Sequence, residues 1–239
     1  MADTFPLRVI ARMRCDFPTK FGVPRQSGLV AGQTGTVVFE PAFRDDNALR
    51  GLTGYSHIWL IWGFSGVQPK ANGWSPTVKP PRLGGNKRMG VFATRSPNRP
   101  NPIGLSSVQL TGMEKRDGLG TVLCVAGADL MDGTPIYDIK PYLPFTDSHP
   151  AAASGFAGER LDYALAVDFP EALLCRIPPE KRGPLVDTLA QDPRPAYRDD
   201  PAEPFGFLYA GFDVRFTVLH GVLTVFDVAK NDARPPHVK

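Results

Sequence analysis

The chain has 239 residues, 42% of them hydrophobic, enough for one large domain or a main domain with an appendage. Its 25 prolines and 24 glycines are about a fifth of the chain, too many for a helix bundle and suited to short strands joined by shaped loops. The net charge of +3 is unevenly placed: from Asn47 to Met113 there is no acid, while Arg50, Lys70, Lys79, Arg82, Lys87, Arg88, Arg95 and Arg99 give that window +8. No apolar run reaches the roughly 18 residues a membrane span needs. The start, MADTFPLRVI, has no signal pattern, and the widely spaced Cys15, Cys124 and Cys175 fit a reducing compartment, so a cytoplasmic protein is expected. His57, His149, His220 and His237 show no HxxxH or HxH spacing, so no catalytic metal is expected.

In chain order, Leu7 to Met13 reads as a strand and Cys15 to Gly32 as an irregular segment with Pro18, Lys20, Pro24 and Arg25. Gly35 to Glu40 is a second strand, and Asp45 to Leu52 is weakly helical. His57 to Phe64, HIWLIWGF, suits a buried central strand in which His57, Trp59, Leu60 and Trp62 read as core. Arg88 to Ala93 is another short strand. Leu105 to Lys115 and Leu119 to Ala126 flank Asp117-Gly118, a two-residue hairpin signal, and Cys124 reads as buried. A proline-punctuated stretch from Asp129 to Ser148 follows. Five or six strands with little helix predict a β-barrel or strongly bent sheet over residues 1–150.

The breaker-rich run His149 to Gly158 reads as a linker to a small α+β domain at 159–239. In it, Asp162 to Phe169 is a strand and Pro178 to Ala190 a helix. Gly206 to Leu219 and Val222 to Ala229 form a hairpin around His220-Gly221, with Phe207, Tyr209, Phe212 and Phe216 as its packing. The whole is a mainly β chain.

The segment Lys79 to Gly104, KPPRLGGNKRMGVFATRSPNRPNPIG, combines φ-fixing prolines with permissive glycines. Such a loop presents backbone groups at fixed positions, and Arg95 and Arg99 can fork onto carboxylate or phosphate oxygens. The residues alone leave open which ligand it takes. A zwitterion, a nucleotide or a solvated arginine-rich surface all fit.

The run GVFATRSPNRPNPIG at 90–104 resembles the signature of the TsaA-like family, whose bacterial members include TrmO-type tRNA methyltransferases. The likeness continues in FGVPRQ (21–26), PTVKPPRLGGN (76–86), DGTP (132–135), DIKPY (138–142) and QDPRPAYR (191–198), in order along the chain. This resemblance implies a non-Rossmann barrel that uses S-adenosylmethionine to methylate N6 of the threonylcarbamoyl-adenosine next to the anticodon. It also implies a homodimer. Consistent with it, the chain has no glycine fingerprint opening a strand–helix unit.

By the same resemblance the cofactor contacts are Pro24, Arg25, Gln26, Arg95, Leu105, Asp132, Gly133, Thr134 and Pro135. Ser65 and Gly66 join through backbone only, because many relatives carry His-Gln there. N6 of the modified base is ureido-like and a poor nucleophile, so a proton acceptor is expected, with Asp132, Asp138 and Tyr197 as its candidates. Asp192, Arg194, Tyr197 and Arg198 fit a single-stranded RNA loop. With Lys79, Arg82, Lys87, Arg88 and Arg99 they would line a path for the anticodon stem-loop. Two other readings remain: a tRNA-binding module without chemistry, and a hydrolase of a nucleotide ligand on the same barrel.

Overall fold

The computed structural model describes residues 5–66, 74–80, 88–160, 163–194 and 203–231. Its first half is built on alternation. In β3 (His57–Gly63) Ile58, Leu60 and Trp62 turn to one side and are buried. The same in–out pattern recurs in β1 (Ala11–Cys15), β2 (Thr34–Phe39) and the first half of β6 (Ile103–Arg116), whereas β7 (Gly120–Ala126) buries the neighbours Val122 and Leu123 and β8 (Pro135–Pro141) buries Ile136. These six strands pair in the order β1-β2-β7-β6-β3-β8, and β8 returns to β1, so the sheet closes into a barrel. Met13, Val37, Ile58, Leu60, Val108, Leu123, Val125 and Ile136 fill it, all under 2% exposed.

Details depart from the sequence reading. The first strand starts later, at Ala11. Arg88 to Ala93 divides into β5 (Met89–Gly90), paired with β4 (Thr77–Val78), and a 3₁₀ turn at Val91–Ala93. Asp45 to Leu52 likewise settles as 3₁₀ turns, at Asp46–Leu49 and Leu52–Gly54. The β6–β7 loop holds three residues between the paired Arg116 and Gly120, because the left-handed conformation falls on Gly118 and Gly120 and not on Asp117. His57 is exposed at the start of β3 and meets Ser56 Oγ through Nδ1 at 3.0 Å, so it is not core. Cys124 is half-buried. Burial pushes the Cys15 thiol up to about 12, which leaves it inert.

A short helix, α1 (Pro144–Asp147), and a 3₁₀ turn in the expected linker (Gly155–Arg160) lead to the second unit. There β9 (Ala166–Asp168) precedes α2 (Glu171–Leu174), which the sequence reading lacked, and α3 (Pro179–Ala190). The sheet runs β10 (Phe205–Tyr209), β11 (Phe212–Leu219), β12 (Val222–Lys230), then β9, parallel to β12. The single strand expected from Gly206 to Leu219 is broken at Ala210-Gly211. Both residues take positive φ, 49° and 84°, as do His220 and Gly221 at the next turn. Two positive φ values in a row match the twist of a two-residue hairpin, so one hairpin becomes a three-stranded meander. Among the described residues no helix is long and apolar enough to cross a membrane.

The two units are joined by the irregular segment after β1. Phe17 is fully buried in the second core, with Phe21 and Val23 packed against it. Gly22, at φ 89°, lies so close to the Phe207 ring that a Cβ would overlap it. Polar contacts flank this packing. Asp16 takes an ion pair from Lys181 (2.6 Å), and the backbone N–H of Ala210 donates to the Asp16 carbonyl (2.9 Å). The segment that carries Pro24, Arg25 and Gln26 is therefore held by the C-terminal unit.

Candidate active site

The antiparallel order puts the end of β1, β3 and β7 and the start of β2, β6 and β8 at one mouth of the barrel. A cavity of about 440 Å³ opens there, a size ordinary for a nucleoside-sized ligand. Four chain segments line it. The segment after β1 gives Lys20, Val23, Pro24, Arg25 and Gln26; the end of β3 gives Trp62, Phe64, Ser65 and Gly66. The proline-rich loop and start of β6 give Arg95, Pro97, Arg99, Ile103, Gly104 and Leu105; the turn before β8 gives Asp129, Met131 and Thr134.

Glycine makes the floor possible. Gly104 of β6 faces Trp62 of β3, and a Cβ at Gly104 would land on the indole carbons. Trp62 Nε1 donates to Ser106 Oγ (2.9 Å), and Ser106 Oγ donates to Asp129 Oδ1 (2.5 Å). Burial raises the Asp129 carboxyl above its ordinary range, opposed by the Ser106 hydrogen bond and the positive charge of Arg95.

Arg95 reaches across the cavity, donating from Nη1 to Gln26 Oε1 (2.5 Å). Gln26 Nε2 donates to the Arg25 carbonyl (2.5 Å). Arg99 is at the wall too, where its Nη2 fastens its own loop by donating to the carbonyls of Val91 (3.1 Å) and Thr94 (2.8 Å). Its Nε is buried and, among the described residues, has no partner. At the rim, Lys20 Nζ donates to the Gly66 carbonyl (3.4 Å).

Of the expected cofactor residues, Pro24, Arg25, Gln26, Ser65, Gly66, Arg95, Leu105 and Thr134 come together at this cavity. Asp132, Gly133 and Pro135 are beside it but do not line it. Asp132 braces β1: its Oδ1 accepts from the Cys15 N–H (3.1 Å) and its Oδ2 pairs with Arg14 (3.4 Å). Gly133, at φ 76°, closes the turn that makes this possible. Asp138 lies off the cavity on the outside of β8, paired with Lys140 at 2.8 Å. Tyr197, Arg198, Arg82 and Lys87 lie outside the described residues. Lys79 and Arg88 are exposed.

Asp192 and Arg194 take another part from the RNA surface expected of them, because both are buried. Asp192, at φ 52° just past α3, accepts from Arg194 Nε (2.9 Å) and Nη2 (3.1 Å) and from the Tyr163 hydroxyl (2.8 Å). The carbonyls held by this cluster in turn accept from Arg25 Nη2, that of Arg194 at 3.2 Å and that of Asp192 at 3.5 Å. The DPR run thus fixes a guanidinium of the cavity from behind.

Sequence reasoning missed Asp129. Its signal was a lone acid between the buried Ala128 and Leu130, three residues before the turn. It missed Trp62 as cavity wall as well, since an aromatic strand reads as core.

Fold and cavity together define a β-barrel protein with a nucleoside-sized cavity at its mouth, the wall of which is braced by a second unit. The family model for the tRNA-methyltransferase O N-terminal domain matches residues 12–148, and that for the TrmO C-terminal domain matches 164–231. The chain belongs to the TrmO family. It is 43% identical over 237 residues to the tRNA (adenine(37)-N6)-methyltransferase of Escherichia coli, covering 94% of this chain and 97% of that one. The Eikenella corrodens enzyme of the same name is 47% identical over 174 residues, 72% of this chain and 95% of that one. The crystal structure of TrmO from P. aeruginosa superposes with a TM-score of 0.76 at 32% identity, covering 97% and 99% of the two chains.

Proposed function

We propose that this chain is an S-adenosylmethionine-dependent tRNA methyltransferase that methylates N6 of the threonylcarbamoyl-adenosine beside the anticodon. The observation that carries this reading is convergence. Arg25-Gln26, Ser65-Gly66, Arg95, Leu105 and Thr134 are remote in sequence and meet at one cavity in a chain of the TrmO family.

The cavity suits the methyl donor chemically. Trp62, Phe64, Leu105 and Met131 offer apolar faces for a heterocycle, while Arg25 and Arg95 offer guanidinium donors for a carboxylate. When bound, S-adenosylmethionine supplies a methyl group on a sulfonium, whose transfer is an in-line displacement governed by positioning. The protein's share is to orient and to exclude water. The Arg95–Gln26 bridge ties two walls, and the Asp192 cluster holds Arg25.

The RNA would approach along the acid-free window. Lys79 and Arg88 are exposed there, and Trp74 and Phe92, both exposed, stack with ring centroids 5.8 Å apart. Stacked aromatics beside cations suit splayed loop bases. A homodimer completes this reading.

Isothermal titration should show S-adenosylmethionine and S-adenosylhomocysteine binding to the protein alone. The anticodon stem-loop should bind with an affinity that falls steeply with salt. The Lys79→Ala/Arg88→Ala variant should lower the log–log salt slope by about one for each phosphate that it no longer neutralises. RNA binding with no binding of either sulfur compound would leave a tRNA-binding module in place of an enzyme.

A further inference from the structure

Among the described residues that line the mouth cavity, Asp129 is the one carboxylate; the other charged residues there are Lys20, Arg25, Arg95 and Arg99. Three cationic guanidinium groups and a lysine explain the capture of an anion, but not a carboxylate in their midst. Its hydrogen-bond chain has a fixed direction. Indole N–H is a donor only, so Ser106 Oγ accepts from Trp62 and spends its single proton on Asp129. That arrangement holds Asp129 as a proton acceptor. The other acids considered for the role are engaged elsewhere: Asp132 with Cys15 and Arg14, and Asp138 with Lys140.

We propose that Asp129 is the catalytic base, taking the proton that leaves the exocyclic nitrogen of the target adenine as the methyl group arrives; this rests on the function proposed above. The S–CH₃ electron pair stays on sulfur, which becomes a neutral thioether, and the N–CH₃ bond forms from the pair on N6. The N6–H pair remains on nitrogen, and the proton passes to an Asp129 carboxylate oxygen and then to solvent. An amide-like nitrogen needs this help, because its lone pair is delocalised into the neighbouring carbonyl. Burial, which raises the carboxyl against the pull of Arg95 and Ser106, also makes it a better acceptor. The groups that act on it are Ser106 from β6, Arg95 from the proline-rich loop and the backbone at Asp129 and Ser27, while Lys20, Arg25 and Arg99 line the same cavity.

Asp129→Asn keeps the shape and an oxygen to accept from Ser106. Its single-turnover methylation rate should fall about 10²- to 10³-fold, while the dissociation constant for S-adenosylhomocysteine changes by less than about threefold. A second readout needs no catalysis. A carboxyl raised on folding binds its proton more tightly in the native state, so its presence costs stability as pH rises above the ordinary value of about 3.9. The Tm of Asp129→Asn minus that of the natural protein should therefore grow from about pH 4 toward neutrality. Ser106→Ala provides a check should the asparagine variant fold poorly. It keeps the base but removes its donor, so the acid limb of the rate profile should move to higher pH.

A rate for Asp129→Asn near that of the natural protein overturns the proposal. So does a loss of homocysteine-product affinity that matches the loss of rate, which would make Asp129 a cofactor ligand, or an unmoved acid limb in Ser106→Ala. A natural protein that methylates no tRNA overturns the functional reading itself, and the wild-type rate distinguishes that outcome.

Discussion

Asp192→Ala is expected to lower both stability and affinity for S-adenosylmethionine, although the residue lies in the second unit and does not line the cavity. Its carboxylate is fully buried and accepts from Arg194 Nε, Nη2 and backbone N–H and from the Tyr163 hydroxyl. Without it, Arg194 loses the carboxylate that meets its Nε and Nη2, and removal of one partner from a buried ion pair costs about 3–5 kcal/mol. Asp192 sits at φ 52°, a conformation that aspartate tolerates better than alanine, which adds a smaller cost. The carbonyls of Asp192 and Arg194 are what hold Arg25, so the guanidinium at the cavity should lose its position. Thermal melting should show a large drop in Tm. Calorimetry, at a temperature where the variant is still folded, should show at least about tenfold weaker binding, roughly 1.4 kcal/mol. Unchanged ligand affinity with weakened RNA binding would instead return Asp192 and Arg194 to direct RNA contact.

Gly104→Ala should damage the cavity from the barrel side. Gly104 is buried opposite Trp62, and its new methyl would occupy the space of the indole ring. The ring must move, which breaks the 2.9 Å bond to Ser106 and disturbs the acceptor Asp129 behind it. Overpacking of this kind costs about 1–3 kcal/mol. Tm should fall, and ligand affinity and methylation should fall with it. Gly90→Ala is the control, since among the described residues nothing lies within 4 Å of the position its Cβ would take, and it should behave as the natural protein. Equal behaviour of the two variants would contradict the role given to Trp62.

The barrel was legible because strands such as HIWLIWG and TVVF announce a buried face by alternation and β-branched content, and the loops between them by proline and glycine. The Ala210-Gly211 turn was not, since alanine at positive φ is rare and carries no turn signal of its own. The site divided along similar lines. Long, odd motifs such as RSPNRPNPIG point to a ligand without reference to the fold. Asp129 is one acid in an apolar run, and only barrel closure shows that it faces a cavity. The DPR run looked like an exposed, basic, proline-stiffened strand for RNA. Its burial depends on Tyr163 and Arg25, from two distant places in the chain, which no local pattern reveals.

Methyl transfer to tRNA is read out by incubating the purified protein with S-adenosylmethionine and tRNA bearing threonylcarbamoyl-adenosine. The RNA is then digested and its nucleosides read by mass spectrometry. This nucleoside should gain one methyl group on N6, in amounts that rise with enzyme, and S-adenosylhomocysteine should appear in equal quantity. An unmodified nucleoside in the presence of protein that binds both ligands would contradict it.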